Sequence, residues 1–148
     1  MEANGKLIII RECQFDRLLP SLKKFQKGKL YINYLDASKI EIPINIEFND
    51  GDLLAGFLKA VLVPHQKTPG ETALYWAERK LLYVGDALIG DPPGKLRLLP
   101  EKMYADIQRA KNGIKTLMDL DFDTLLVGDG DSILSGAKTA VEEFINSN

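Results

Sequence analysis

The chain has 148 residues, and its 45% apolar and 27% charged composition suits one soluble domain, residues 1–148, with a core of its own. A net charge of -2 and a pI of 5.5 leave no basic surplus of the kind nucleic-acid binding requires. No apolar run approaches the roughly 20 residues needed to span a bilayer, the start carries no signal-peptide pattern, and the lone Cys13 allows no intrachain disulfide, so a cytoplasmic protein with neither a nucleic-acid nor a membrane partner is expected.

In chain order, Leu7-Ile8-Ile9-Ile10 is a short β-branched run that reads as a buried strand. Phe15, Leu18, Leu19, Leu22 and Phe25 then share one helical face, with Pro20 placing the regular start near Leu18 or Leu19 and Gly28 ending it. Lys23, Lys24, Lys27 and Lys29 read as the solvated face and exit of that helix. Leu30-Tyr31-Ile32 is the next strand. Ile40, Ile42, Ile44 and Ile46 alternate with period two, but Pro43 restricts that run to an edge or extended segment. After the turn Asn49-Asp50-Gly51-Asp52, residues 57–63 read as a strand, and 72–76 with 80–84 as a hairpin closed by Ala77-Glu78-Arg79. Met103, Ile107, Ala110, Ile114 and Leu117 predict one helix over 101–118, residues 124–127 a buried strand, and Ala137, Val141 and Phe144 a last amphipathic helix over 135–145. Strands in the middle with helices around them make an α/β arrangement.

Several local patterns read as ordinary structure. Gly90-Asp91-Pro92-Pro93-Gly94-Lys95 lacks the spacing of a phosphate loop and has Leu96 where Ser or Thr is needed. Asp119, Asp121 and Asp123 imitate the start of a calcium loop, but Thr124 stands where its glycine belongs and Gly130 where its bidentate Glu belongs. His65 is read as a loop residue, Cys13 as an inert thiol with no base beside it, and Trp76 with Tyr75 as packing.

One combination carries more information: Thr68-Pro69-Gly70-Glu71-Thr72, a hairpin, Gly85-Asp86, a helix, and a strand ending in Val127-Gly128-Asp129-Gly130. From Asn49 onward this order resembles the metallo-β-lactamase superfamily, whose corresponding motifs read Thr-Pro-Gly-His-Thr, Gly-Asp and Gly-His-Gly. More weakly, Arg11-Glu12-Cys13-Gln14-Phe15-Asp16-Arg17 resembles the family's first motif, Thr-His-x-His-x-Asp-His, placed after a strand. The resemblance implies an α/β fold of the four-layer αββα type, here lacking part of the N-terminal sheet, and a cleft that in the family usually holds two metals. It places Glu12 and Gln14 on two histidine positions of the first metal, Asp16 on the second metal's aspartate and Arg17 on its histidine. Glu71 and Asp129 take the other two histidine positions, and Asp86 keeps the bridging aspartate.

With every ligand histidine replaced, the positions Glu12, Gln14, Asp16, Arg17, Glu71, Asp86 and Asp129 offer oxygen donors and one cation. Zinc favours imidazole and thiolate, so no zinc and no other cofactor is expected, and if any metal binds it would be Mn or Mg held by Asp16, Glu71, Asp86 and Asp129. The carboxylates would repel one another without protons or a cation, and Arg17 is expected to pair with Asp86 or Asp129. Three readings stay open: a dead site whose polar network keeps the fold, a repurposed oxygen-donor metal site of a hydrolase, and a metal-free cleft for a small cationic or polar ligand. The first is preferred, giving a non-catalytic member of the fold that binds a partner or a small ligand. A shortened outer sheet would also expose apolar surface, which predicts self-association or a protein partner.

Overall fold

The structure is a computed structural model that describes residues 7–10, 29–40 and 43–147, of which 7–10 only as a strand. The first sheet is parallel and joins β1 (Leu7–Ile10), β2 (Lys29–Asn33) and β3 (Ile46–Phe48) in that order. The second runs β4 (Leu53–Leu54), β5 (Leu58–Leu62), β6 (Thr72–Trp76), β7 (Leu81–Gly85) and β8 (Thr124–Val127). Its pairings are antiparallel from β4 to β7 and parallel between β7 and β8. A short α1 (Tyr34–Ala37) follows β2, and α2 (Ile107–Ile114) and α3 (Ala137–Asn146) flank β8 in sequence.

The layers follow from the period-two alternation of strand side chains. On one face of the five-stranded sheet, Val61, Ala73, Tyr75, Leu82 and Val84 pack with Ile114 of α2, Leu117, and Ala137 and Val141 of α3. On the other face, Ala60, Leu74 and Tyr83 join Tyr31 and Phe48 of the parallel sheet. The far side of that parallel sheet carries Leu30 and Ile32 against Ala37, Ile40 and Ile44. The order is therefore helices, five-stranded sheet, three-stranded sheet, then a further apolar face. The helix expected from Phe15 to Phe25 lies outside the described residues, as does Cys13.

Of the alternating isoleucines, Ile40 and Ile44 lie outside any strand, β3 begins at Ile46 on the edge of the parallel sheet, and Ile42 lies outside the described residues. Asn45 explains the late start, because its backbone N–H donates to the Leu30 carbonyl while its side-chain carbonyl accepts from the Leu30 N–H, so it meets β2 through a side chain. Two helix expectations are corrected. The helix expected over 101–118 is three pieces: a 3-10 turn Glu101–Met103, α2, and a 3-10 turn Lys115–Asp119. Asp106 makes the break, since in extended conformation it caps α2 by accepting from the N–H groups of Gln108 and Arg109. The last helix begins at Ala137, after Gly136 in the left-handed region at φ 70°.

Among the described residues, the readings of the hairpin turn, Asp121, Asp123, Trp76, Tyr75 and His65 agree with the structure. Ala77–Arg79 closes the β6–β7 hairpin as a 3-10 turn. Asp121 pairs with Lys80 at 2.8 Å and Asp123 accepts from the Gly136 N–H, so both serve turns. Trp76 packs its ring 4.6 Å from Phe57 with Arg79 over it, and the Tyr75 hydroxyl donates to the Asp121 carbonyl. His65 is exposed in the loop after β5.

Candidate functional site: the cleft at the end of the five-stranded sheet

Three loops build the site. The first connects β5 to β6 and contains Lys67 and the Thr68–Thr72 run. It is held on one side by Gln66, whose side-chain amide donates to the Ala110 carbonyl of α2 at 2.9 Å. On the other side the Asn33 amide donates to Thr72 Oγ1 at 3.2 Å, and that hydroxyl donates to the Gly70 carbonyl at 2.7 Å. Gly70 lies directly on buried Asp36 of α1: a Cβ there would stand 2.6 Å from Asp36 Oδ2. The run that looked like a metal motif is thus clamped between α2 and the end of the parallel sheet. Glu71 follows at 1% exposure.

The second loop leaves β7 through Gly85 and presents Asp86; the third leaves β8 through Gly128 and Asp129. They are tied together where the Gly128 N–H donates to the Gly85 carbonyl at 2.9 Å and the Gly90 N–H to the Asp129 carbonyl at 3.1 Å. A Cβ on Gly128 would come 2.8 Å from Asp86 Oδ1, so this glycine makes room for the carboxylate. Between the loops lies a cavity of about 350 Å³. Lys67, Asp86, Gly128 and Asp129 form its polar wall, and Ile89, Leu99, Pro100 and Met103 its apolar wall.

Within this cavity Lys67 Nζ stands 3.6 Å from Asp86 Oδ2, with the two side chains 12% and 21% exposed. Close behind, the Tyr104 hydroxyl accepts from the Leu99 N–H at 3.1 Å. Burial pushes the Tyr104 phenol above its ordinary value of 10.0, the negative charges of Glu71 and Asp86 push the same way, and the Leu99 hydrogen bond opposes them.

Of the residues singled out from the sequence, Asp86 and Asp129 share the cavity and Glu71 lies buried in the adjoining loop. Glu12, Gln14, Asp16 and Arg17 lie outside the described residues, and so does the expected pairing of Arg17. The residues that sequence reasoning missed are Lys67 and Tyr104. Lys67 immediately precedes the Thr68 motif, and that adjacency was the available signal; its partner is 19 positions away and only the fold brings them together.

The described residues do not fit a divalent metal pair. Among them no three His, Cys, Asp or Glu side chains come together in a metal-holding group. One Asp86 oxygen faces an ammonium and the other packs against Gly128. A divalent ion on Asp86 would sit beside a fixed positive charge, which is repulsive at this range.

Comparison with known proteins now defines the family. The family described as the metallo-beta-lactamase superfamily matches residues 5–148. None of the curated proteins matches by sequence. Among solved structures, a metallo-beta-lactamase from Pontibacter korlensis superposes with a TM-score of 0.71 at 13% identity, covering 97% of this chain and 70% of that one. The DIM-1 metallo-beta-lactamase gives 0.69 at 11%, covering 95% and 66%. A flavoprotein from Thermotoga maritima gives 0.68 at 18%, covering 95% and 42%. At such identities the likeness establishes the fold alone, and this chain spans between 42% and 70% of the length of these three relatives. The shared fold and the match over nearly the whole length show that the chain belongs to the metallo-β-lactamase superfamily, with an α/β architecture of that type.

Proposed function

We propose that this chain is a non-catalytic member of the superfamily whose cleft binds a small polar or cationic ligand rather than activating water on a metal. The observation that carries the reading is the Lys67–Asp86 ion pair inside the cleft, at the aspartate that the sequence resemblance assigns to metal bridging. Water activation near neutral pH depends on a metal lowering the pKa of bound water, and an ammonium does not do that. The cavity nevertheless keeps the character of a ligand site. Its volume falls in the range of about 300–1,000 Å³ typical of small-molecule pockets, and it sets an apolar wall against a few polar groups. Lys67 engages Asp86, while the exposed Asp129 carboxylate remains at the rim to receive a positive group.

The test has two arms. Hydrolysis of β-lactam, thioester and phosphodiester substrates is measured with added Mn or Mg, and small primary amines and guanidines are screened by thermal shift. The expected result is no turnover, with stabilisation by at least one cationic compound that is lost in Asp129→Asn. Metal-dependent turnover abolished by Asp86→Asn would overturn the reading and favour an oxygen-donor hydrolase.

A further inference from the structure

We propose that Lys67 is a built-in replacement for the missing metal: its ammonium neutralises Asp86 from within the chain and closes the cleft to divalent cations. This rests on the metal-free half of the preceding reading and is independent of whether the cleft takes a ligand.

Three observations carry it. Lys67 Nζ is shut off from solvent and sits 3.6 Å from Asp86 Oδ2, a distance of ion pairing rather than of a short hydrogen bond. A shielded ammonium is costly to hold unless a negative charge faces it, so the placement is specific and not an accident of a flexible surface side chain. Second, the geometry is prepared from both directions. The Lys67 loop is anchored to α2 through Gln66 and to the parallel sheet through Thr72, and Asp86 is seated by the absence of a side chain at Gly128. Third, the cavity wall carries a second carboxylate, since Asp129 lines the same cavity as Asp86. Two carboxylates on one cavity wall favour a cation beside them, and a metal would be lost or gained with its concentration, whereas a lysine is always present. The pair also meets across the ends of two elements, since Lys67 precedes β6 and Asp86 follows β7. The ammonium therefore joins the two loops that a shared metal would otherwise join.

Removing the ammonium should expose what it replaces. Wild type, Lys67→Met, Lys67→Arg, Asp86→Asn and Lys67→Met/Asp86→Asn are melted in chelator and again with millimolar Mn, Mg or Ca. Wild type is expected to melt at the same temperature in every condition. Lys67→Met should melt roughly 5–10 °C lower in chelator, as expected for a largely shielded pair broken from one side, and should recover part of that loss with a divalent cation. Lys67→Arg should keep most of the wild-type melting temperature. The double variant should melt higher than the sum of the single losses allows and should not respond to cations. Three results would overturn the proposal: a wild type stabilised by divalent cations, a Lys67→Met as stable as wild type, or a double variant that loses the sum of the two single losses. Should Lys67→Met fail to fold in chelator, a double variant that folds supports the proposal and one that does not overturns it. Loss of ligand binding with these melting profiles intact would count against the binding function alone.

Discussion

Gly70→Ala tests how the motif loop is held. A Cβ at this position would lie 2.6 Å from Asp36 Oδ2, 2.8 Å from its Cγ and 3.1 Å from Asn33 Cβ. The nearest of these is about 0.8 Å inside the 3.4 Å at which ordinary contact begins. Neither neighbour can withdraw at little cost. Asp36 is 1% exposed and pairs with Lys39 at 3.4 Å, and Asn33 is fixed at both ends of its amide, donating to Thr72 and accepting from the Leu35 N–H. Forcing one extra carbon into such packing costs about 1–3 kcal/mol. For a domain of this size that corresponds to a fall in Tm of roughly 2–12 °C. Urea unfolding followed by the fluorescence of Trp76, the single tryptophan, measures the loss as a lower midpoint with an unchanged slope. The cause is isolated by a double-mutant cycle: if crowding is responsible, Gly70→Ala should cost less in an Asp36→Ala background, with a coupling of about 0.5–3 kcal/mol. An unchanged midpoint in the single variant, or strict additivity in the cycle, would refute the close-approach argument.

Further outcomes follow from other contacts. Asn33→Ala removes the cap of α1 and the bond to Thr72, and should cost about 1–2 kcal/mol in the same urea experiment. Asp106→Ala should cost about 1 kcal/mol and lower the helical circular dichroism, because Asp106 satisfies two N–H groups at the start of α2. The raised Tyr104 phenol gives an alkaline effect with a definite sign. Below pH 10 both the folded and the unfolded phenol are protonated; above it the unfolded one ionises first, so stability falls as pH rises through the folded pKa. Tyr104→Phe should flatten that alkaline slope in a series of urea melts, and an unchanged slope would count against the assignment.

The parts of the fold that were legible were those set by local pattern. The hairpin read over 72–76 and 80–84 is present as β6 and β7, which are covered on both faces, and the apolar run at 124–127 is β8, whose Leu125 and Val127 pack toward the helices. Pro43 limited the run from Ile40 to an edge or extended segment, and β3 begins at Ile46 on the sheet edge; how late it starts depends on Asn45 meeting β2 with its side chain, which alternation does not report. The stripe from Met103 to Leu117 was continuous in sequence, yet Asp106 caps a new helix inside it, since a capping carboxylate competes with helix continuation for the same N–H groups. At the site, Asp86 and Asp129 line one cavity. The charge balance was not legible. Lys67 pairs with Asp86 across a separation that no local pattern reports, and the pairing expected of Arg17 lies outside the described residues.

In the proposed reading, the cleft is held together by the Lys67–Asp86 pair without a metal. The most direct measurement is the metal content of the purified, dialysed protein by elemental mass spectrometry, repeated after incubation with Zn, Mn or Mg and a second dialysis. Far less than one ion per chain is expected in every case. One or two equivalents retained through dialysis, and lost in Asp86→Asn, would contradict that reading.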